Sequence, residues 1–397
     1  MSINTGTAEE AGLKAAAAAT VVVFGINGLV FASWAARIPA VTQTLQITSG
    51  QMGTLLLCTA VGSLLALPTA GWVVGRLGTA NTVRLGGLLA SAAGAGIAFS
   101  LSIESIPGTA ISLFFFGIAI GLWDVSQNIE GADVEHKLRR TIMPQFHAAF
   151  SGGAFVGALI GAGLSNLGVD LPLHLLVIVG IVLLVTMTAP RYFLPHAAVP
   201  APAEGAKAVK GPSAWRDSRT VLIGVVVLGA TLTEGAGNDW IAKASVDGLG
   251  TSESTGALMF ALFVLAMTAM RFFGGRVIDK YGRVAVLRAS MAAAAVGLCL
   301  FVLAGNAWVA AGGAALWGVG AALAFPMGMS AAADDPRHAA ARVSVVSTLG
   351  YISFLAGPPL LGYLGDLTGI HKALLAILAP ILLALLLAGA AKPLKVK

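Results

Sequence analysis

Apolar residues run through this chain in long unbroken stretches separated by short polar links, and nowhere do apolar and polar positions alternate over a strand's length. Twelve stretches can be counted. In the first half they run roughly 15–37, 50–74, 82–102, 108–132, 142–165 and 171–194, and in the second roughly 219–243, 253–275, 284–304, 307–332, 342–365 and 371–391. Each has about the 20 residues a helix needs to cross a bilayer. A β-barrel would show short alternating segments instead. The expected fold is therefore all-α and integral to the membrane, with twelve transmembrane helices.

Between the sixth and seventh stretches the pattern breaks. Pro195, Pro200, Pro202 and Pro212 lie among Lys207, Lys210, Arg216 and Arg219. Such a stretch is too polar to span and too rich in proline for continuous helix. It divides the chain into a six-helix bundle at 1–194, a cytoplasmic linker at 195–218 and a second six-helix bundle at 219–397.

Composition agrees with a lipid solvent. The 397 residues are 57% hydrophobic and 11% charged, against about 25% charge in soluble domains, and mean hydropathy is +0.87. A net charge of +6 could suggest nucleic acid, but the basic residues sit in the links between spans, and no aromatic-and-basic stripe accompanies them. Their distribution fixes the expected orientation. With both termini cytoplasmic, only Arg37, Lys243 and Lys372 fall outside, and the other 21 of 24 Lys and Arg fall inside. Cys58 and Cys299 lie within apolar stretches and read as small buried hydrophobes. Glu9 and Glu10 precede the first stretch, which is long enough to span, so it reads as a retained helix rather than a cleaved signal.

The chain also repeats itself. Gly71-Trp72-Val73-Val74-Gly75-Arg76-Leu77-Gly78-Thr79 returns 204 residues later as Gly275-Arg276-Val277-Ile278-Asp279-Lys280-Tyr281-Gly282-Arg283. Trp34-Ala35-Ala36-Arg37 returns as Trp240-Ile241-Ala242-Lys243 at an offset of 206, and the glycine-rich run 161–168 returns as 362–369 at 201. Offsets this close, in chain order, indicate one duplicated unit.

Ionisable and polar residues inside apolar spans are costly unless they face water or a partner, so they form the candidate site. The fourth span carries Asp124 and Asn128, four apart on one face, which suits substrate or proton binding or a structural ion pair. Glu130, Asp133 and Glu135 follow at its cytoplasmic end and read as solvated. The fifth carries His147 and Ser151. A carboxylate beside an imidazole gives coupled titration, though a neutral histidine tying the two helices together is equally consistent. The seventh carries Glu234 and Asn238 on one face, with Glu234 past mid-membrane, and then Asp239 and Trp240 near the external interface. Trp240, like Trp34, reads either as an aromatic-belt residue or as a platform for a polyol. Asn27 of the first span is a candidate hydrogen-bonding group. Arg271 of the eighth could bind an anion, pair with an acid or snorkel to the surface. Ser347 and Tyr351 of the eleventh share a face, ahead of Gly357-Pro358-Pro359, where two prolines should bend the helix.

The nine-residue pattern Gly-x-x-x-Asp-Lys/Arg-x-Gly-Arg between two apolar spans resembles the signature of the major facilitator superfamily of transporters. That resemblance implies two pseudo-symmetric six-helix bundles working by alternating access. Spans 1, 2, 4, 5, 7, 8, 10 and 11 would line the cavity. It also implies a cytoplasmic gate built from Gly275, Asp279, Lys280, Gly282 and Arg283, with the worn copy Gly71, Arg76 and Gly78. Asp279 would meet the start of the fifth span and Arg139 or Arg140. Phe31-Ala32-Ser33-Trp34-Ala35-Ala36-Arg37-Ile38-Pro39 and Gly350-Tyr351 look like the bacterial YbjJ-type branch, related to fucose permease-like carriers. This implies a small polar, sugar-like solute, proton symport driven by the proton gradient, and a multi-pass protein of the bacterial inner membrane. Asp124 matches that group's acidic position on the fourth span. The acid those carriers have on the first span is missing here, where Asn27 is the nearest polar residue.

The alternative within transport is a proton-coupled exporter of drugs or metabolites. Such antiporters often carry Gly-Pro in the fifth span, and Gly157-Ala158-Leu159-Ile160-Gly161 lacks it. No hydrolase or metalloprotease motif and no metal-spaced cysteines appear, so neither an enzyme, a cofactor nor a metal is expected. The expected partners are the lipid bilayer, a small solute and H+, and the expected state is a monomer.

Overall fold

The computed structural model describes residues 5–140, 142–195, 214–303, 305–335 and 338–394, and every regular element among them is helical. In chain order the helices are α1 (Thr5–Ala35), α2 (Ile38–Leu45), α3 (Ser49–Ser102), α4 (Ile106–Leu138), α5 (Met143–Asn166), α6 (Leu171–Thr188), α7 (Ser218–Leu249), α8 (Glu253–Tyr281), α9 (Arg283–Leu303), α10 (Ala307–Ala321), α11 (Ala324–Ala332), α12 (Ala339–Thr368), α13 (Ile370–Ala373) and α14 (Leu378–Leu387). Short 3₁₀ turns complete the sixth and twelfth stretches at Ala189–Tyr192, Leu374–Ile377 and Ala388–Ala391, and another spans Ala214–Arg216. Most of the expected linker, residues 196–213, lies outside the described residues.

Eleven helices among the described residues are long and apolar enough to cross a membrane. One of them, α3, has 54 residues, or ~81 Å of rise, far more than a ~30 Å hydrocarbon core requires. It contains one non-helical residue, Gly78, at φ 78° and ψ 164°. Only glycine adopts that conformation without strain, and the second and third expected spans meet there. Gly282, 204 residues later, has φ 82° and ψ 152° and ends α8. The repeated motif therefore places the same backbone turn twice.

Helix starts follow local rules. Ser105 and Ser252 cap α4 and α8 by accepting from Gly108 N and Thr255 N, both at 3.2 Å, and Asn306 caps α10 by accepting from Val309 N at 3.0 Å. Such caps satisfy amides that a helix leaves open. Some expected boundaries shift. α7 runs on through Ser245 and Asp247 to Leu249, because helix continues into polar sequence once its core face is packed. The expected bend at Pro358 and Pro359 leaves the helical assignment of α12 unbroken.

The residues cluster into two compact units. The first reaches to Gln46 and resumes at Cys58. Within it α1 and α5 pack backbone to backbone. A Cβ at Gly153 would collide with the Gly25 carbonyl, and one at Gly28 with the Phe150 carbonyl. This close approach is the use to which the Gly153, Gly157 and Gly161 stripe is put. Trp123, Val83, Ala119 and Ile178 form a core on α4's other side. The second unit comprises the C-terminal half and Ile47–Leu57. There the Asp366 carboxylate accepts from Thr48 Oγ1 at 2.8 Å and from Gly50 N at 3.1 Å, so it caps the first turn of α3.

Candidate functional site

In the first unit the candidate residues gather on α4 and α5. The midpoint of α4 falls at Leu122, so Asp124 lies ~3 Å along the axis from it. Its Oδ1 accepts from Gln127 Nε2 at 3.0 Å and from Asn128 Nδ2 at 3.3 Å. Asn128 Nδ2 also donates to the Asp124 carbonyl at 2.8 Å. Two amides thus hold the carboxylate in place without neutralising it. His147, near the start of α5, is close enough to Asp124 to interact with it electrostatically, and its ring meets Phe24 of α1 edge-on at 5.4 Å. Asp124 and His147 are both exposed in this unit, whereas Ser151 is buried. An acid exposed at mid-helix would cost about 2.5–3.5 kcal/mol against hydrocarbon by insertion scales. A carboxylate on this face of α4 and α5 is tolerated in a membrane where it meets water or a polar partner. Asn27 on α1 is buried, and its Nδ2 finds no acceptor; neither does Gln127 Oε1 find a donor. Gln127 is the participant that sequence reading missed, although its position three residues past Asp124 marks it as a neighbour on the helix.

The C-terminal end of α4 differs from its expected solvated reading. Glu130 is 1% exposed, and its oxygens accept from Thr79 Oγ1 at 2.6 Å and Leu194 N at 2.7 Å. Glu135 accepts from Ile142 N and Met143 N at 2.7 and 2.6 Å. The first turn of α5, where Asp279 was expected, thus receives Glu135. Asp279 itself is exposed and has no hydrogen bond or ion pair among the described residues. Arg139, in the left-handed conformation at φ 50°, ends α4, and Arg140 is exposed beside it.

The second unit repeats the Glu130 contact. Arg283 Nη1 meets both oxygens of Asp334 at 3.0 and 3.1 Å, and Arg219 Nη2 joins them at 2.7 Å. Arg283 and Asp334 stand 204 residues beyond Thr79 and Glu130. The last position of the motif therefore meets an acid 51 residues further on, in both units. Nearby, burial alone would raise the Asp217 carboxyl, but hydrogen bonds from Thr220 and Arg219 and the charge of Arg342 outweigh it and hold the group below its ordinary value. Gly71, Gly75 and Gly275 have open space around them. Arg76 lies 4.4 Å over the Trp72 ring and Lys280 5.0 Å over Tyr281.

Three alternatives for Arg271 reduce to one. Its Nη2 lies 2.8 Å from each oxygen of Glu234, and its Nε donates to the Ala322 carbonyl at 3.2 Å. Glu234 sits at the midpoint of α7. Trp240 is 0% and Trp34 8% exposed, so both rings pack against protein. Trp34 lines a small apolar pocket with Val30, Phe116 and Leu175. Asp239 and Trp240 line another small pocket against α12. Asn238 Oδ1 is buried without a donor. Tyr351 is exposed.

Membrane-length helices, a duplicated six-span plan and ionisable groups held at mid-helix define a multi-pass membrane transport protein. The Major Facilitator Superfamily model matches residues 16–242 and again 240–396, and the chain belongs to that superfamily of transporters. The double match is the duplication seen from outside the chain. An uncharacterized transporter of Sinorhizobium fredii, y4wD, is 31% identical over 372 residues, covering 90% of this chain and 96% of that one. Among solved structures, the nucleoside transporter NupG superposes with a TM-score of 0.73 at 14% identity, covering 96% of this chain and 99% of that one. The transporter FucP, in its outward conformation, superposes with a TM-score of 0.61 at 16% identity, covering 94% and 99%. Likeness at that identity is likeness of fold.

Proposed function

We propose that this transporter is a proton-coupled symporter of a small, neutral, polyhydroxylated solute, working by alternating access in the bacterial inner membrane. In this reading twelve spans, with α3 counted as two, place both termini in the cytoplasm, as the basic residues favour. The observation that carries the proposal is the polar group on α4 and α5. There a mid-membrane carboxylate, Asp124, is held by two amides, with an imidazole within electrostatic reach. Amides and carboxylates bind hydroxyl groups well, and a carboxylate without a fixed counter-charge is free to take up and release a proton. The sugar-permease resemblance of Phe31–Pro39 points to the same solute class, and the nucleoside transporter NupG, which shares the fold, adds nucleosides to the candidates.

The test is reconstitution into liposomes with a panel of hexoses, deoxyhexoses, inositols and nucleosides, each with and without an imposed pH gradient. The reading predicts accumulation of at least one member only when the gradient is present. Asp124→Asn should abolish that accumulation while counterflow exchange persists. Gradient-driven accumulation that survives Asp124→Asn removes Asp124 from the coupling step. Extrusion of cytotoxic compounds in place of solute uptake would instead favour an exporter.

A further inference from the structure

The acids within the spans of this chain are nearly all accounted for. Asp124 has Gln127 and Asn128, Glu130 has Thr79 and the Leu194 amide, and Glu234 has Arg271. Asp239 is the exception away from a helix end, since Asp279, also without a partner, stands exposed at the end of α8. It lies on α7 ~8 Å from the helix midpoint, half-buried, and has no hydrogen bond or ion pair among the described residues. It lines a small cavity together with Ser353, Phe354 and Gly357 of α12. Trp240 lines the same cavity, is 0% exposed, and its indole Nε1 has no acceptor.

Asn238 Oδ1, beside Asp239, is likewise buried without a donor, while several charged and polar groups of the packed elements are engaged elsewhere. On α7 itself, Lys243 meets Asp247 at 2.8 Å. From α8, Arg271 is taken by Glu234. From α10, Trp317 Nε1 donates to the Thr233 carbonyl at 3.1 Å. On α12, the Ser353 hydroxyl is shared between Thr231 Oγ1 at 2.5 Å and the Gly350 carbonyl at 2.6 Å. His371 of α13 lies against the carbonyls of Ala244 and Val302, and α11 and α14 bring no charged residue. A charged carboxylate in this setting is partly withdrawn from water with no cation paired to it, which is costly. The neutral acid fits the same space at far lower cost.

We propose that Asp239 is a second proton-binding site of the carrier, located in the C-terminal unit and distinct from Asp124. The step is a simple acid–base exchange. The carboxylate takes H+ from hydronium when the cavity communicates with water, becoming the neutral acid and releasing H2O, and it returns the proton by the reverse step. No charge then has to enter the apolar space between α7 and α12. This rests on the proton-coupled reading above and adds to it a residue in the other half of the molecule.

Infrared spectroscopy of the purified full-length protein in lipid vesicles, titrated with pH, tests the assignment without any solute or gradient. The carboxylic-acid C=O stretch at neutral pH should include one component that Asp239→Asn removes, that Asp124→Asn leaves in place, and that Asp239→Glu restores at a shifted frequency. A spectrum unchanged by Asp239→Asn overturns the proposal. The coupling reading fails by a different observation, the absence of gradient-driven accumulation in the wild type, so the two failures are distinguishable.

Discussion

At the scale of single residues, the main result is that ionisable groups in the spans are sorted by what holds them. Glu234 and Arg271 hold each other across α7 and α8, part-buried, with side-chain exposures of 17% and 34%. Removing one partner leaves the other's charge without compensation in a poorly solvated place. Arg271→Met and Glu234→Gln should each lower thermal stability in detergent. The double variant should recover part of the loss, with a coupling of about 1–2 kcal/mol in a double-mutant cycle. Strict additivity of the two losses would mean that the 2.8 Å contacts carry no energy. Sequence alone had left Arg271 with three readings. Its partner is 37 residues away on another helix, and nothing local marks which acid lies opposite. Glu130 misled for a related reason. It stands at the polar end of an apolar span, where solvent is the natural expectation, and only the fold brings Thr79 and the Leu194 amide to cover it. Asp124 was legible because its own helix supplies its partners at positions three and four ahead.

At the scale of helices, the span pattern was readable throughout, since each apolar stretch reappears as helix near its expected place. What the pattern could not supply was helix ends and breaks. Hydropathy registers lipid contact, whereas helix persists into polar sequence wherever packing supports it, as at Ser245 to Leu249. The reverse holds in the tenth stretch, apolar throughout yet divided into α10 and α11. The small-residue stripe on α5 was a firmer guide, because close helix packing demands it. Gly153→Val should prevent α5 from seating on α1, since its side chain would enter the Gly25 carbonyl. The expected outcome is a large loss of folded, monodisperse protein on size-exclusion chromatography. Gly75→Ala, made into open space, serves as the control and should behave as wild type. Equal behaviour of the two variants would contradict the packing described for α1 and α5.

At the scale of the whole molecule, duplication organises everything else. The two copies of the motif turn at Gly78 and Gly282, and the residue after each turn reaches an acid at the same offset. The copies are unequal in strength. Thr79 brings one neutral hydroxyl to Glu130, while Arg283 brings a charge-assisted pair to Asp334 and further bonds to Ser330 Oγ and the Ala391 carbonyl. An ion pair held by two hydrogen bonds is stronger than a single hydroxyl-to-carboxylate bond, because both partners carry charge. Arg283→Ala should therefore lower the melting temperature more than Thr79→Ala, and the reverse order would contradict the comparison. The motif was legible as a pair of copies, but its working contacts were not, because they depend on acids 51 residues further on in each half.

The central claim, that solute and proton move together, is tested most directly by proton movement itself. Vesicles loaded with a pH-sensitive dye, carrying the purified transporter, receive an inward gradient of a solute that the wild type accumulates, with no pH gradient imposed. Symport predicts acidification of the lumen that begins with solute addition and is absent with Asp124→Asn. A lumen that stays at constant pH while the solute enters, or that turns alkaline, would contradict it.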